Sequence, residues 1–99
     1  MPYIVPMILS YRSKPLELFA LAGDSSKLPV PAAHHQKVSF LVQALDAATQ
    51  PDDMHLPGFG FHGLQGKPKR YAVKVTVNYR LTFGWDDGNA VLVDLEDYH

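Results

Sequence analysis

Apolar and polar positions alternate at every second residue through the last third of the chain. Val73, Val75 and Val77 share one parity against Lys74 and Thr76, and Leu81 and Phe83 flank Thr82. Val91, Val93 and Leu95 alternate with Leu92, Asp94 and Glu96 in the same way. β-Branched and aromatic residues at that period predict strands with one face buried and one wet. Asp87-Gly88 interrupts the pattern with a residue pair that supplies the positive φ angles of a tight two-residue hairpin. A sheet therefore closes the chain, and the upstream residues must cover one of its faces.

Upstream, Ile8, Leu9 and Tyr11 read as a short first strand with Ser10 and Arg12 on its other side. Ser13 is placed to cap a helix, Pro15 suits its first turn, Leu16, Leu18, Phe19 and Ala22 supply apolar positions, and Gly23 stops it. After a polar loop at 24–29, Pro31 opens a second helix. Its apolar stripe is Val38, Leu41, Val42 and Leu45, and Thr49-Gln50-Pro51 ends it. His34 lies on that stripe as a packing or rim residue. Adjacent His34 and His35 cannot face one site on a helix, which argues against a metal pair. Asp52-Asp53-Met54 reads as a turn, and residues 59–64 as a strand carrying His62 beside two glycines. The pattern predicts an α+β fold, two N-terminal helices packed on one face of a mostly antiparallel sheet of four or five strands.

Composition narrows the chemistry. Ninety-nine residues make one domain, and the absence of cysteine excludes disulfides, thiolate metal sites and thiol catalysis, as a reducing cytosol allows. The apolar opening, residues 1–9, is broken by Pro2 and Pro6 and has no basic flank, so it is neither a secretory signal nor a membrane span. The expectation is a soluble, cytoplasmic protein with no membrane partner. Net charge is -1, yet Lys67, Lys69, Arg70, Lys74 and Arg80 gather in one stretch, and Asp86, Asp87, Asp94, Glu96 and Asp97 gather near the end. Two readings stay open: a solvated sheet with faces of mixed sign, or a basic strip that meets phosphates.

Several segments in order resemble one family. Leu56-Pro57-Gly58, Phe61-His62-x-Leu64-x-Gly66, Asn78-Tyr79-Arg80-Leu81-Thr82-Phe83, Val93-Asp94 and Asp97-Tyr98-His99 are similar to segments of the HigB toxins of the RelE/ParE superfamily. So is the helix end Gln43-Ala-Leu-Asp-Ala-Ala48 with Asp52-Asp53. The resemblance runs over residues 7–99, which makes residues 1–6 an upstream extension and leaves the start codon open between Met1 and Met7. It implies a RelE-like toxin that cleaves messenger RNA in the ribosomal A site without a metal or other cofactor. It also implies a small helix-turn-helix antitoxin (HigA-like) as partner, besides the ribosome and mRNA.

By the same resemblance His62, Arg80, Tyr98 and His99 occupy the family's catalytic positions, with Asp97 orienting the terminal pair. Lys67, Lys69, Arg70 and Lys74 are the candidates for binding RNA phosphates. The residue types suit the reaction: a histidine side chain, with a pKa of about 6.5, moves protons near neutral pH, and arginine holds phosphate through a planar, permanently charged fork. If these groups form one site, the strand carrying His62 and the closing strand end at the same edge of the sheet. His62 and Arg80 then share a face within roughly 10 Å, the reach of one scissile phosphate and its sugars.

This chain also departs from the family pattern. Gln65 stands where a lysine is usual, Thr76-Val77 replaces an Asn-Gly turn, and the net charge is not basic. β-Branched residues resist positive φ, so that hairpin must turn differently or shift towards Asn78. Two alternatives share the same sheet: a ParE-like toxin that binds gyrase, and a degenerate member that acts through antitoxin binding and autoregulation.

Overall fold

A computed structural model of the chain describes residues 8–97. The predicted extension at 1–6 and the terminal Tyr98 and His99 lie outside that range. Helix α1 spans Lys14–Ala22 and α2 spans His35–Ala47, followed by strands β1 (His62–Leu64), β2 (Arg70–Lys74), β3 (Tyr79–Asp86) and β4 (Asn89–Asp97). The strands form one sheet in the order β1-β2-β3-β4, each pair antiparallel. The α+β architecture is the one that the sequence pattern predicts. No helix of the described residues is long and apolar enough to cross a membrane.

Local chemistry accounts for the helix ends. Ser13 caps α1, its hydroxyl accepting from the Leu16 amide at 3.2 Å, and Pro15 lies in the first turn. Gly23 ends the helix in the left-handed conformation with φ 71°, its N–H returning to Phe19. Pro31 precedes a short 3-10 turn, Ala32–His34, from which α2 continues. The stripe Val38, Leu41, Val42 and Leu45 is buried, as its spacing predicts.

Covering one face of the sheet sets the core. Leu16, the α2 stripe and Met54 pack with Val73, Val75, Leu81, Phe83, Val93 and Leu95 in one cluster. On the same face a row of rings runs from the residue before β1 across β2 and β3: Phe61 stacks on Tyr71 at 5.8 Å, and Tyr71 on Phe83 at 5.6 Å.

Four predicted details differ. First, the strand expected over 59–64 is ordered as a strand only at His62–Leu64, because Gly58 and Gly60 take positive φ; Phe59 still accepts from the Lys74 amide at 2.7 Å. Second, Val77 leaves the alternation and is 80% exposed, since β2 ends at Lys74 and the chain turns. That turn needs no positive φ. The Thr76 hydroxyl accepts from the amides of Asn78 and Tyr79, and the Tyr79 carbonyl accepts from those of Val75 and Thr76.

Third, Val91 does not share a face with Val93 and Leu95. The register steps from Thr82↔Asp94 to Gly84↔Val91, which puts one extra residue into β4. Leu92 absorbs it at φ 53°, so Ala90 rather than Val91 points into the core. Fourth, the predicted first strand is reduced to a parallel bridge, Tyr11↔Val93, along the outer edge of β4. Ser10 secures the bulge there: its hydroxyl accepts from the Leu92 amide at 2.8 Å and its carbonyl from Val93 at 3.1 Å.

Candidate active site

Residues directly opposite one another in a sheet point to the same face. His62, Ala72, Thr82 and Asp94 therefore form one row across the four strands, and Lys74, Arg80 and Glu96 form the next. Arg70 lies opposite Leu64 and Gly84. All of these lie on the face that neither helix covers.

The register brings His62 and Arg80 onto one face, though by a different route from the one expected. The strand carrying His62 and the closing strand do not meet at an edge: β1 is at one side of the sheet and β4 at the other, and Arg80 lies on β3 between them. With strands about 4.8 Å apart and residues about 3.4 Å along them, the Cα atoms of His62 and Arg80 are roughly 12 Å apart. His62 is exposed, and its Nδ1 donates to the Gly60 carbonyl at 2.9 Å. That bond leaves Nε2 as the acceptor of the neutral ring.

At the centre of this face four side chains from three strands close on one another. Arg70 donates through Nη1 to Glu96 Oε2 at 3.1 Å and through Nη2 to the Thr82 hydroxyl at 2.8 Å. The Thr82 hydroxyl donates a short bond to the same Oε2. Arg80 Nη2 faces the other oxygen, Oε1, at 3.9 Å. Thr82 is fully buried, and the two guanidiniums and the carboxylate are mostly so. Burial alone would raise the Glu96 carboxyl. The hydrogen bonds from Thr82 and Arg70, with the charges of Arg70 and Arg80, outweigh it and hold the group below its usual range. The β4 bulge adds one further contact, with the Leu92 carbonyl 3.5 Å from Arg70 Nη2.

The other predicted site residues divide. Lys74 is exposed beside Arg80 on this face. Lys67 lies in the connection between β1 and β2, also exposed. Lys69 turns away from the strip: its Nζ donates to the Leu64 carbonyl at 3.3 Å and stands 5.8 Å from the Tyr71 ring centroid, on the helix-covered side. Asp97 pairs with Tyr79, so it has the parity of the covered face rather than that of Arg80. Its expected partners, Tyr98 and His99, lie outside the described residues. The single basic strip of the sequence is therefore three open-face cations, Arg70, Lys74 and Arg80, with two lysines set apart.

Glu96 and Thr82 were not singled out from sequence as site residues. The signal was present, since alternation assigns both to the wet face, but nothing local marks a threonine and a glutamate fourteen residues apart as partners of two arginines. A groove of about 590 Å³ opens at the end of the sheet, lined among others by His34, Lys37, Lys74 and Tyr79. None of the four cluster residues lines it, and Lys74 is the basic residue it shares with the open face. Among the described residues no group of three metal-ligating side chains comes together.

The sequence profile of the HigB-like toxins, described as "RelE-like toxin of type II toxin-antitoxin system HigB", matches residues 9–99. Endoribonuclease HigB of Proteus vulgaris is 33% identical over 94 residues, covering 94% of this chain and all of that protein. Toxin HigB-1 of Vibrio cholerae serotype O1 is 31% identical over 94 residues, covering 93% of this chain and 98% of its own length.

Proposed function

This chain belongs to the HigB-like toxins, the RelE-like toxins of type II toxin–antitoxin systems, and from that premise we propose that it is an endoribonuclease of messenger RNA, acting in the ribosomal A site without a metal ion. A toxin of this class has an antitoxin as partner; a small helix-turn-helix protein fits that role, and the cytoplasm is where both would act.

The observation that carries the reading is one face of the sheet. It holds an exposed histidine whose Nδ1 is bonded to the Gly60 carbonyl and, across two strands, paired guanidiniums. In the proposed reaction His62 Nε2 takes the proton of a ribose 2′-hydroxyl. The 2′-oxygen forms a bond to phosphorus as the bond to the 5′-oxygen breaks, and Arg80 with Arg70 offsets the negative charge that gathers on the phosphorane. The leaving 5′-oxygen takes a proton from Tyr98 or His99, the terminal pair that the resemblance puts at catalytic positions. The products are a 2′,3′-cyclic phosphate and a 5′-hydroxyl.

The test is induction of the chain in growing cells with mapping of RNA 5′ ends. Growth arrest with new ends inside translated codons is the expected result, and Arg80→Ala should lower their yield by about a hundredfold or more. Growth arrest without new RNA ends would favour gyrase binding, and no arrest would favour the degenerate reading.

A further inference from the structure

We infer that Glu96 is a positioning residue, whose carboxylate holds the guanidiniums of Arg70 and Arg80 as one rigid pair that seats a single phosphodiester. The nature of the anion rests on the proposed RNA cleavage; the rigidity of the pair does not.

The contacts divide unequally between the two oxygens, and the division is informative. Oε2 is anchored, taking Arg70 Nη1 at 3.1 Å and the buried Thr82 hydroxyl. Thr82 in turn accepts from Arg70 Nη2 at 2.8 Å, so Arg70, Thr82 and Glu96 form a closed ring of hydrogen bonds. That ring fixes where Oε1 points, and Oε1 faces Arg80 Nη2 at 3.9 Å. This is an ion-pair distance rather than a hydrogen bond, so the contact orients the Arg80 guanidinium by charge. The arginines come from adjacent strands and Glu96 from the third, so each held group is also fixed by the backbone ladder.

Charge points the same way. Two guanidiniums and one carboxylate leave a single positive charge on the cluster, and its flanking residues add one charge of each sign, Lys74 opposite Arg80 and Asp94 opposite Thr82. An arginine pair without Glu96 would be more positive but would repel itself, and two long side chains would lose the anchor they share. Both oxygens of Glu96 are engaged and its carboxyl sits below the usual range, which suits a fixed anion and not a proton acceptor. An anion beside the phosphate weakens ground-state binding. Its benefit is alignment in the transition state, where a small displacement of a charged group is costly.

The deciding variant is Glu96→Gln, with Glu96→Asp as its companion should the glutamine form not fold. Two readouts are needed. Side-chain 15N NMR of the isolated protein, with Arg80→Lys for assignment, reports guanidinium order without reference to activity. Cleavage on programmed ribosomes reports kcat and KM. We expect Glu96→Gln to remain folded by its melting curve, to lose the slow guanidinium rotation of Arg80, and to lower kcat about tenfold to a hundredfold with KM unchanged or smaller. Glu96→Asp, whose oxygens are withdrawn, should fall between. An Arg80 side chain as ordered in Glu96→Gln as in the parent would overturn the inference, as would unchanged or faster turnover. If the parent itself does not cleave, the proposed reaction fails, and the NMR result still decides the role of Glu96.

Discussion

Thr82 is the point on which the open face closes. Its hydroxyl is fully buried, accepts from Arg70 and donates to Glu96, so each member of the ring depends on the other two. This coupling predicts how stability responds to acid. The folded-state pKa of Glu96 lies below its usual 4.5. A carboxyl of this kind contributes stability that is fully present above the unfolded value and lost as pH falls through the folded one. Chemical denaturation of the parent and Glu96→Gln should therefore differ by about 1–3 kcal/mol at neutral pH, with the difference shrinking steadily below pH 4.5. A difference that held constant down to pH 3 would contradict the ion-pair account. At this scale the sequence was half legible. Family resemblance pointed to His62 and Arg80, which the register puts on one face, and alternation placed Thr82 and Glu96 on the wet face. That Arg70 would be tied to a glutamate 26 residues later was not readable, because it depends on the register of three strands.

Among the elements, β4 carries the feature that sequence pattern could not supply. Strict alternation groups Val91 with Val93 and Leu95, whereas the extra residue at Leu92 rephases the strand and turns Ala90 inward. Bulges are invisible to a period-two reading when, as here, apolar residues occur on both parities around them. By contrast, the Asp87-Gly88 hairpin was legible because its chemistry is local: Asp87 at φ 50° and Gly88 at φ 84° close the turn between Asp86 and Asn89. The same holds for Ser13 and Gly23 at the ends of α1. Leu92 is the costly residue of the bulge, a left-handed position occupied by an aliphatic side chain that is 43% exposed. Asparagine tolerates that conformation better. Leu92→Asn should thus stabilise the fold by about 0.5–1 kcal/mol, read as a higher denaturant midpoint at unchanged slope. A loss of stability would mean that the leucine side chain packs in a way that offsets its backbone strain.

Over the whole molecule, division of labour follows from covering only one face of a sheet. The helices bury the odd-numbered residues of β2 and β3, which leaves the even-numbered ones, Arg70, Lys74, Arg80 and Thr82 among them, to build the other surface. The two-layer fold was therefore legible from periodicity alone. Legibility was poorer for the charge distribution, since Lys69 and Arg70 are neighbours in sequence yet go to opposite sides. A net charge of -1 also hides how the charges are arranged: the open face carries Arg70, Lys74 and Arg80 together with Asp86, Asp94 and Glu96.

On the proposed reading this face, and not the helical side, cleaves RNA. Its most direct test is a ribosome-programmed cleavage assay comparing His62→Ala and Arg80→Ala with Lys14→Ala and Lys27→Ala, two exposed lysines away from the face. Arg80→Ala and both lysine variants each remove one positive charge, so a general loss of attraction to the ribosome would slow all three alike. The account predicts a fall of about a hundredfold or more for His62→Ala and Arg80→Ala, and parental rates for Lys14→Ala and Lys27→Ala. Equal loss in all four, or parental cleavage by the two open-face variants, would contradict it.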